Sequence, residues 1–250
     1  MRISVTIITK NEELSISRCL QSVSWADEVI VLDSDSTDRT VEIARQLGAT
    51  VSVKTDWPGF GPQKNRALDL ATGDWILSLD ADEWITPELG EEIRSIISGS
   101  PGFGAYRLPR SSSFCGRFMH HSGWWPDYVV RLFRSGTARF SDDIVHERTL
   151  VDGAVGTLRN PLKHETYVDL DDMQEKFNRY SALGAQALHA RGARGGIGKA
   201  ILHGLSAFLR TYLLRRGFLD GREGFLLAVA NAEVAYYKYV KLLLLNSPRK

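Results

Sequence analysis

The chain has 250 residues, of which 43% are hydrophobic and 24% charged, and its formal net charge is +1 at pH 7. This composition is typical of globular proteins and excludes a largely disordered chain. The charge is uneven: residues 195–250 contain nine Lys and Arg against three Asp and Glu, a net +6, and residues 1–194 contain 22 against 27, a net −5. The near-neutral total argues against a dedicated nucleic-acid-binding protein, so the basic C-terminal part needs another explanation.

Cysteine content and hydropathy indicate the compartment. Two cysteines, Cys19 and Cys115, are too few to predict a disulfide framework, so a reducing, cytoplasmic setting is expected. The N-terminus has a short apolar run without a small-residue cleavage site, which predicts a strand and not a signal peptide. The chain has no run of about 18 uncharged apolar residues, so no transmembrane helix is predicted.

Strand-like and helix-like patterns alternate over the first hundred residues. Short runs rich in Val and Ile predict strands, and apolar residues three or four positions apart predict helices. The predicted strands are 3–9, 28–34, 50–54 and 74–80, and the predicted helices are 14–23, 38–48, 62–73 and 86–97. Thr86 is placed to cap the last helix, with Pro87 at its first position. The alternation predicts an α/β fold with a largely parallel, doubly wound sheet.

The remainder of the chain changes character near residue 165. Strand-like segments at 105–110, 128–134 and 137–140 flank a long irregular loop at 111–127. From about residue 169 the sequence is helical almost throughout. The change predicts a mixed α/β domain over residues 1–165 and a helical, amphipathic and basic C-terminal region over 166–250.

Three polar clusters follow predicted strands: TKNEE at 9–13, DSDSTD at 33–38 and DADE at 80–83. Ligands of parallel α/β sheets bind outside the carboxyl ends of the strands. We therefore expect the three clusters to open onto one crevice.

The DADE cluster carries two carboxylates, Asp80 and Asp82, in a D-x-D pattern. Such oxygens can bind a hard divalent cation, which in turn can hold a diphosphate. An acidic turn before an N-capped helix is the alternative interpretation of so short a motif. The position at a strand's carboxyl end favours the cation.

Two further clusters suggest nucleotide contacts. Asp33 ends the second strand, where a carboxylate can accept hydrogen bonds from a base N–H or a ribose hydroxyl. Ser36 and Asp38 are interpreted as helix caps. Lys64 lies at a helix entry and either reaches a phosphate or is a solvated surface lysine. The sequence contains neither G-x-G-x-x-G after the first strand nor a P-loop motif, which disfavours dinucleotide and P-loop enzymes.

Four segments in order, TIITKNEE, VIVLDSDSTDRT, QKNRALDLATGDWILSLDADE and RLFRSGTARFSDDIVHE, resemble family-two glycosyltransferases, above all bacterial lipopolysaccharide core-biosynthesis glucosyltransferases. The resemblance implies a GT-A fold: a doubly wound, mainly parallel sheet, here with a C-terminal helical extension. Residues 1–165 would then be the nucleotide-sugar-binding and catalytic domain. It also implies inversion at the sugar's anomeric centre.

The resemblance assigns roles to individual positions. Thr9, Asn11 and Glu12 are similar to the family's first nucleotide-contacting loop, and Asp33 to the acid that contacts base or ribose. Asp80 and Asp82 are similar to its metal and diphosphate motif, with Asp82 expected to be the direct ligand. From charge alone, Lys64 is expected to assist the cation in stabilising the departing diphosphate.

The catalytic base is assigned less directly. The family's usual acidic pair is absent, and Glu147 of VHE stands in its approximate place, with Asp127 as the reserve. His146 and His164 either orient such a base or bond to a backbone carbonyl. Trp124 and Trp125 offer flat faces that suit sugar rings, although tryptophans are equally common as core anchors.

The resulting expectation is a metal-dependent hexosyltransferase that uses Mg²⁺ or Mn²⁺ and a nucleotide-sugar donor, expected to be a UDP-sugar. Its acceptor would be a lipopolysaccharide-core, lipid-linked or other cell-envelope glycan, and no nucleic acid is expected as a partner. A sugar nucleotidyltransferase is one alternative, although such enzymes carry a basic, Gly-rich loop where TKNEE is acidic. A non-catalytic, membrane-associated adaptor on a transferase scaffold is the other.

The C-terminal region carries a predicted amphipathic helix at 199–216. Its apolar stripe comprises Ile201, Leu202, Leu205, Phe208, Leu209, Tyr212 and Leu213, with Lys199, His203, Ser206 and Arg210 on the opposite side. With the +6 charge, this predicts attachment to an anionic membrane surface, and hence a cytoplasmic enzyme peripheral on the inner face of the cytoplasmic membrane. The alternative is a helical hairpin that packs on the catalytic domain or on another subunit.

Overall fold

A computed structural model describes residues 1–142, 147–167 and 169–247. The strands are β1 Ile3–Thr9, β2 Glu28–Asp33, β3 Thr50–Val53, β4 Trp75–Asp80, β5 Glu83–Ile85, β6 Ala105–Phe114, β7 Arg117–Phe118, β8 Asp127–Arg134, β9 Ala138–Phe140, β10 Thr149–Val151, β11 Val155–Thr157 and β12 Leu162–Tyr167. The α-helices are α1 Ile16–Ser22, α2 Thr40–Gln46, α3 Phe60–Leu68, α4 Pro87–Ser98, α5 Leu170–Ala190, α6 Ile197–Leu209 and α7 Gly221–Asn246. A π-helical turn, Arg210–Leu214, and a 3₁₀ helix, Gly217–Asp220, lie between α6 and α7.

The chain divides into two compact units. Unit 1 comprises Met1–Arg110 and Tyr128–His164, and unit 2 comprises Ser111–Asp127 and Glu165–Lys250. Unit 2 therefore groups the segment 111–127 with the helical C-terminal part. The predicted domains, 1–165 and 166–250, stay a prediction.

The sheet has the strand order β3-β2-β1-β4-β8-β6-β12-β5, and β7 and β11 pair with β6. Strand β1 pairs in parallel with β2 and with β4, and β2 pairs in parallel with β3. Strand β8 then runs antiparallel to β4. Every residue of β1 is buried, as expected for a central parallel strand that is covered on both faces.

Apolar side chains of the strands and helices of unit 1 form its main core, around Ile7, Ile16, Leu77 and Ile93. Helix α4 begins as predicted, because Thr86 accepts a hydrogen bond from the Leu89 amide and Pro87 is the first helical residue. The α/β prediction with a mainly parallel sheet and a C-terminal helical extension is confirmed.

Two predicted boundaries were wrong. The predicted helix at 62–73 runs from Phe60 to Leu68, because Gly59 with φ 111° precedes it and the chain turns at Asp69. Strand β6 continues through Ser111–Phe114, which were predicted as loop, because a run of serines carries no alternating apolar signal.

Unit 2 contains α5, α6 and α7 together with an ordered loop. Its core includes Phe114, Met119, Tyr167, Met173 and Leu227. The loop at 120–122 is held by Asp220, which is 2% exposed and accepts hydrogen bonds from the amides of His120 and His121 and from the Ser122 hydroxyl.

Candidate active site

The strand register brings three of the predicted site residues to one edge of the sheet. Thr9 at the end of β1 is the register partner of Asp33 at the end of β2. Ile8, one residue earlier, is the partner of Asp80 at the end of β4. Parallel pairing aligns strand ends, so the polar clusters that follow these strands lie side by side.

Asp33 joins the first two clusters. Its side chain is fully buried and accepts hydrogen bonds from the Thr9 hydroxyl at 2.8 Å and from the Ser36 amide at 2.9 Å. Ser36 was predicted to cap a helix but instead bonds to Asp33, and the amide of Thr40, where α2 begins, donates to Asp38. The role of Asp33 in base or ribose contact stays a prediction.

Asn11 and Glu12 tie the first loop to the second. Asn11 has φ 56°, its amide donates to the Ser36 hydroxyl, and its side-chain oxygen accepts from the Thr37 amide at 2.8 Å. The Glu12 amide donates to the Thr40 hydroxyl at 2.7 Å. These bonds shape the two loops into one surface, and nucleotide contact by Thr9, Asn11 and Glu12 stays a prediction.

The DADE turn is closed by its own last residue. Glu83 is fully buried, and its Oε2 accepts a hydrogen bond from the Asp80 amide at 3.0 Å. Its Oε1 lies 2.7 Å from Nη2 of Arg131 and 3.3 Å from Nη1 of Arg110. A buried carboxylate needs such partners, because desolvation of an unpaired charge is costly. The two arginines therefore stabilise the turn.

Lys64 connects the turn to the candidate base. It is 4% exposed, and its Nζ lies 2.8 Å from Oδ1 of Asp80 and 2.8 Å from Oε1 of Glu147. The alternative of a solvated surface lysine is therefore wrong. Asp80 and Glu147 are 67 positions apart, and this one ammonium group brings their carboxylates to the same site.

Gly61 allows Lys64 and Glu147 to come into contact. A Cβ at Gly61, in the first turn of α3, would lie 1.8 Å from the carbonyl oxygen of Ser141 and 3.5 Å from Cβ of Glu147. Only a residue without a side chain allows the helix backbone to approach this closely. Gly61 thus sets the distance between α3, which carries Lys64, and the segment that carries Glu147.

Charges around Asp80 control its protonation. Burial by itself would raise the pKa of the Asp80 carboxyl, but Arg131 and Lys64 outweigh it and hold that pKa well below its usual range. Burial likewise would lower the pKa of the Arg131 guanidinium, but Asp80 and Glu83 raise it above its usual value. Both oxygens of Asp80 contact cations, Oδ1 at Lys64 and Oδ2 at Arg131, 2.5 Å away. Asp80 is therefore ionised and held in place by protein groups.

Asp82 and His164 form a second pair at the turn. Oδ2 of Asp82 lies 3.3 Å from Nε2 of His164, and the two side chains are 25% and 13% exposed. His164 was considered only as a possible orienting residue, and the strand pairing of β12 with β5 brings it to the turn. A carboxylate oxygen and an imidazole nitrogen are both metal donors.

These residues fit a divalent cation of the kind that the fold family implies. No group of three or more His, Cys, Asp or Glu side chains that could hold a metal occurs within residues 1–142, 147–167 and 169–247. Mg²⁺ sites often use only one or two protein carboxylates and complete their coordination with substrate phosphates and water. Both oxygens of Asp80 are engaged by Lys64 and Arg131. Asp82 with His164 therefore suits such a site better than Asp80 does.

The remaining candidates belong to unit 2 or lie outside the described residues. Asp127 opens β8 and belongs to unit 2, and its role as reserve base stays a prediction. Trp124 packs with Phe114 and Tyr167 at ring-centroid distances of 6.1 and 6.0 Å, which is a core contact within unit 2. His146 lies outside the described residues.

Arg131 and Arg110 are the functional residues that sequence reasoning missed. Each stands within a strand at a position where an apolar or neutral residue would be ordinary, in VVRLFR and RLPR. A charged residue inside a strand that is otherwise buried was the available signal.

Comparison with known proteins identifies the family. The model of "Glycosyl transferase family 2" matches residues 4–151. The chain belongs to glycosyltransferase family 2. The family prediction and its implied GT-A fold are confirmed, and the match decides against the sugar nucleotidyltransferase alternative.

Relatives of this family 2 glycosyltransferase match nearly the whole chain. An uncharacterized glycosyltransferase of Rickettsia bellii is 33% identical, with 96% of this chain and 86% of the relative covered. The lipopolysaccharide core biosynthesis glycosyltransferase LpsC of Rhizobium meliloti is 29% identical, with 96% and 91% covered. The structure of S. aureus TarS 1–349 in complex with UDP-GlcNAc shares the fold, with a TM-score of 0.52, 16% identity and 97% and 88% coverage.

In the part of the chain that the structure describes, no helix is both long enough and apolar enough to cross a membrane.

Proposed function

We propose that this family 2 glycosyltransferase is an inverting hexosyltransferase that uses a UDP-sugar donor and a lipopolysaccharide-core or other lipid-linked acceptor. The similarity to LpsC supports the acceptor class. TarS, a protein of the same fold, has been crystallised with UDP-GlcNAc. The basic, amphipathic C-terminal region supports a peripheral location on the inner face of the cytoplasmic membrane, where a lipid-linked acceptor would be reached.

The observation that carries the proposal is the position of Lys64 between Asp80 and Glu147. Its ammonium group, 2.8 Å from each carboxylate, joins the acidic turn after β4 to the candidate base in one site of unit 1. Donor activation and acceptor deprotonation require a cationic and a carboxylate group close together.

Asp82 and His164 are the residues that would hold Mg²⁺ or Mn²⁺. When bound, the cation supplies positive charge that stabilises the departing diphosphate. Asp80 has a different role in this proposal. Its carboxylate is held by Lys64 and Arg131, and its backbone amide donates a hydrogen bond to Glu83, which keeps the turn in the shape that presents Asp82.

Glu147 is the proposed general base. Its side chain is 18% exposed, so the oxygen that does not contact Lys64 can accept the proton of an acceptor hydroxyl. Removal of that proton as the oxygen attacks the anomeric carbon contributes about 10²- to 10⁴-fold. Lys64 fixes the orientation of the carboxylate. The loop of Asn11 and Glu12 contacts the nucleotide. The buried Asp33 holds that surface in place through Thr9 and Ser36.

The test is Glu147→Gln, which keeps the shape of the side chain and removes its basicity. We expect turnover of a UDP-sugar with an acceptor to fall at least about 100-fold, with UDP affinity unchanged. Asp127→Asn is measured in parallel as the reserve base. The control Glu91→Gln changes an exposed carboxylate of α4 and should leave turnover unchanged.

A metal titration separates the cation site from the base. Asp82→Asn should weaken Mn²⁺-dependent UDP binding, measured by calorimetry, whereas Glu147→Gln should not. Near-normal turnover of Glu147→Gln would refute the base assignment. UDP binding that is independent of Mn²⁺ and Mg²⁺ in the unaltered enzyme would refute the metal assignment.

A further inference from the structure

Helix α6 of unit 2 packs against α7 through its small residues. Ala200 and Gly204 are buried, as is Thr211 in the π-helical turn that follows. A Cβ at Gly204 would lie 3.2 Å from the carbonyl oxygen of Ala232 and 3.4 Å from Cβ of Tyr236. The two helices therefore approach closely on the side of α6 that Ala200 and Gly204, four positions apart, share.

The large aliphatic residues of α6 and of the π-helical turn that follows lie on the side away from α7. Ile201, Leu202, Leu205, Leu209 and Leu213, which we call the leucine face, are between 40% and 66% exposed. In a globular protein such a stripe normally packs against the core. Here the core-facing side consists of small residues and the apolar stripe is left on the surface, so it is the kind of patch that marks an interaction site.

The exposed apolar surface continues past the helix. Leu214 is 80% exposed, and Phe218 and Leu219 in the following 3₁₀ helix are about half exposed, at 48% and 50%. A protein surface that carries one isolated leucine is ordinary. A run that extends from the helix through the next turn is not.

Cations border this surface, and two of the three acids in residues 195–250 are buried. Lys199 lies three positions before Leu202, and Arg210, the first residue of the π-helical turn, lies eleven after Lys199, so both exposed cations lie beside the leucine face and not opposite it as predicted. Arg216 is exposed just after that turn. Of the acids, Asp220 and Glu223 are 2% and 7% exposed and are engaged within unit 2, whereas Glu233 of α7 is exposed. These three exposed cations outnumber Glu233, so the net charge beside the leucine face is positive.

We propose that the leucine face lies in the interfacial layer of an anionic lipid bilayer, with the flanking cations on the lipid headgroups. An exposed apolar stripe beside basic side chains is the surface that binds such membranes. A second copy of this chain is disfavoured, because pairing two leucine faces would bring like charges together. This inference rests on the proposed function, because a lipid-linked acceptor is the reason for membrane binding. The leucine face is the surface that would bring the enzyme to that acceptor.

The first experiment measures partition of the full-length protein onto vesicles. One set is phosphatidylcholine alone, and the other contains about 30% phosphatidylglycerol. We expect binding to the anionic set, and we expect the triple variant Leu202→Gln, Leu205→Gln, Leu209→Gln to bind it at least about tenfold more weakly. Far-UV circular dichroism and the melting temperature verify that this variant is folded.

The second experiment tests the cations and includes a control for the replacement of exposed leucines by a polar residue. Lys199→Gln and Arg210→Gln should each weaken partition about fivefold on anionic vesicles and leave binding to neutral vesicles unchanged. A matched triple variant, Leu47→Gln, Leu150→Gln, Leu170→Gln, replaces exposed leucines outside the leucine face and should bind like the unaltered protein.

Three results would overturn the proposal. The leucine variant could bind anionic vesicles as tightly as the unaltered protein, or the unaltered protein could bind neither set. Light scattering could also reveal a stable dimer that the leucine substitutions dissociate, which would assign the face to a second copy. UDP binding is measured on the same samples. Vesicle binding without UDP binding refutes only the proposed function. UDP binding without vesicle binding refutes only the proposed role of the leucine face.

Discussion

Replacing Arg131 by Met tests whether the buried charge network stabilises unit 1. Arg131 is 5% exposed, and its Nη2 contacts Asp80 at 2.5 Å and Glu83 at 2.7 Å. Methionine fills much of the same space without a charge, so Glu83 keeps only Arg110, 3.3 Å away, and the Asp80 amide. Loss of one partner from a buried ion pair costs about 3–5 kcal/mol, and we expect this loss in the free energy of unfolding at pH 7.

The assay is urea denaturation followed by circular dichroism, and a second pair of residues supplies the control. Arg139 also forms an ion pair with an aspartate, Asp69, at 2.8 Å, but both side chains are more than half exposed. Exposed pairs contribute about 0–1 kcal/mol, so Arg139→Met should change the free energy of unfolding by no more than that. The two substitutions are chemically identical and differ in burial.

A double variant distinguishes an unpaired charge from lost packing. Adding Glu83→Gln to Arg131→Met removes the stranded carboxylate and should recover part of the lost stability. A destabilisation of Arg131→Met below about 1 kcal/mol would refute the reasoning. An undiminished loss in the double variant would assign the effect to packing instead.

Three further predictions concern other parts of the structure. Because the pKa of Asp80 is depressed, its ion pairs stabilise the fold above the unfolded-state pKa of about 3.9, and this stability is lost as pH falls. The difference in unfolding free energy between the unaltered protein and Asp80→Asn should therefore shrink between about pH 5 and about pH 2. A difference that stays constant over this range would contradict the prediction. Gly61→Ala places a methyl group against the Ser141 carbonyl and should lower turnover at least about tenfold in steady-state kinetics. The change in UDP affinity, measured by calorimetry, should be smaller. Unchanged kinetics would show that α3 can shift freely. Asp220→Ala leaves the donors of the 120–122 loop unpaired, including the Ser122 hydroxyl at 2.8 Å, and should lower the free energy of unfolding by about 3 kcal/mol in urea titrations; a loss near zero would mean that water replaces the carboxylate.

Local patterns were sufficient to predict most of the fold of unit 1. Runs of Val and Ile marked β1 and β2, and the Thr86 cap with Pro87 marked the start of α4. These signals act within a few residues of one another, so they can be recognised without knowledge of the rest of the chain. The serine run in β6 carried no such signal, and its extension through Phe114 was missed.

The candidate site was only partly predictable. Asp80 and Asp82 were chosen because they follow a strand, and the sheet register aligned that strand with β1 as expected. The sequence did not reveal that Arg131 neutralises Asp80, or that His164 lies beside Asp82, because these contacts join residues 51 and 82 positions apart. Spacing along the chain contains no information about such pairs.

The C-terminal helices illustrate the same division. Helical spacing alone defined the apolar stripe of α6, since side chains three and four positions apart always share a face. Which way that face points was decided by tertiary packing: Gly204 allows α7 to approach the opposite side, so the leucines remain exposed. The amino-acid sequence by itself thus determined the elements, their order and their faces, through interactions that are local in the chain. Tertiary structure alone decided which distant charges meet and which faces are covered, because burial and ion pairing depend on all of the neighbours at once.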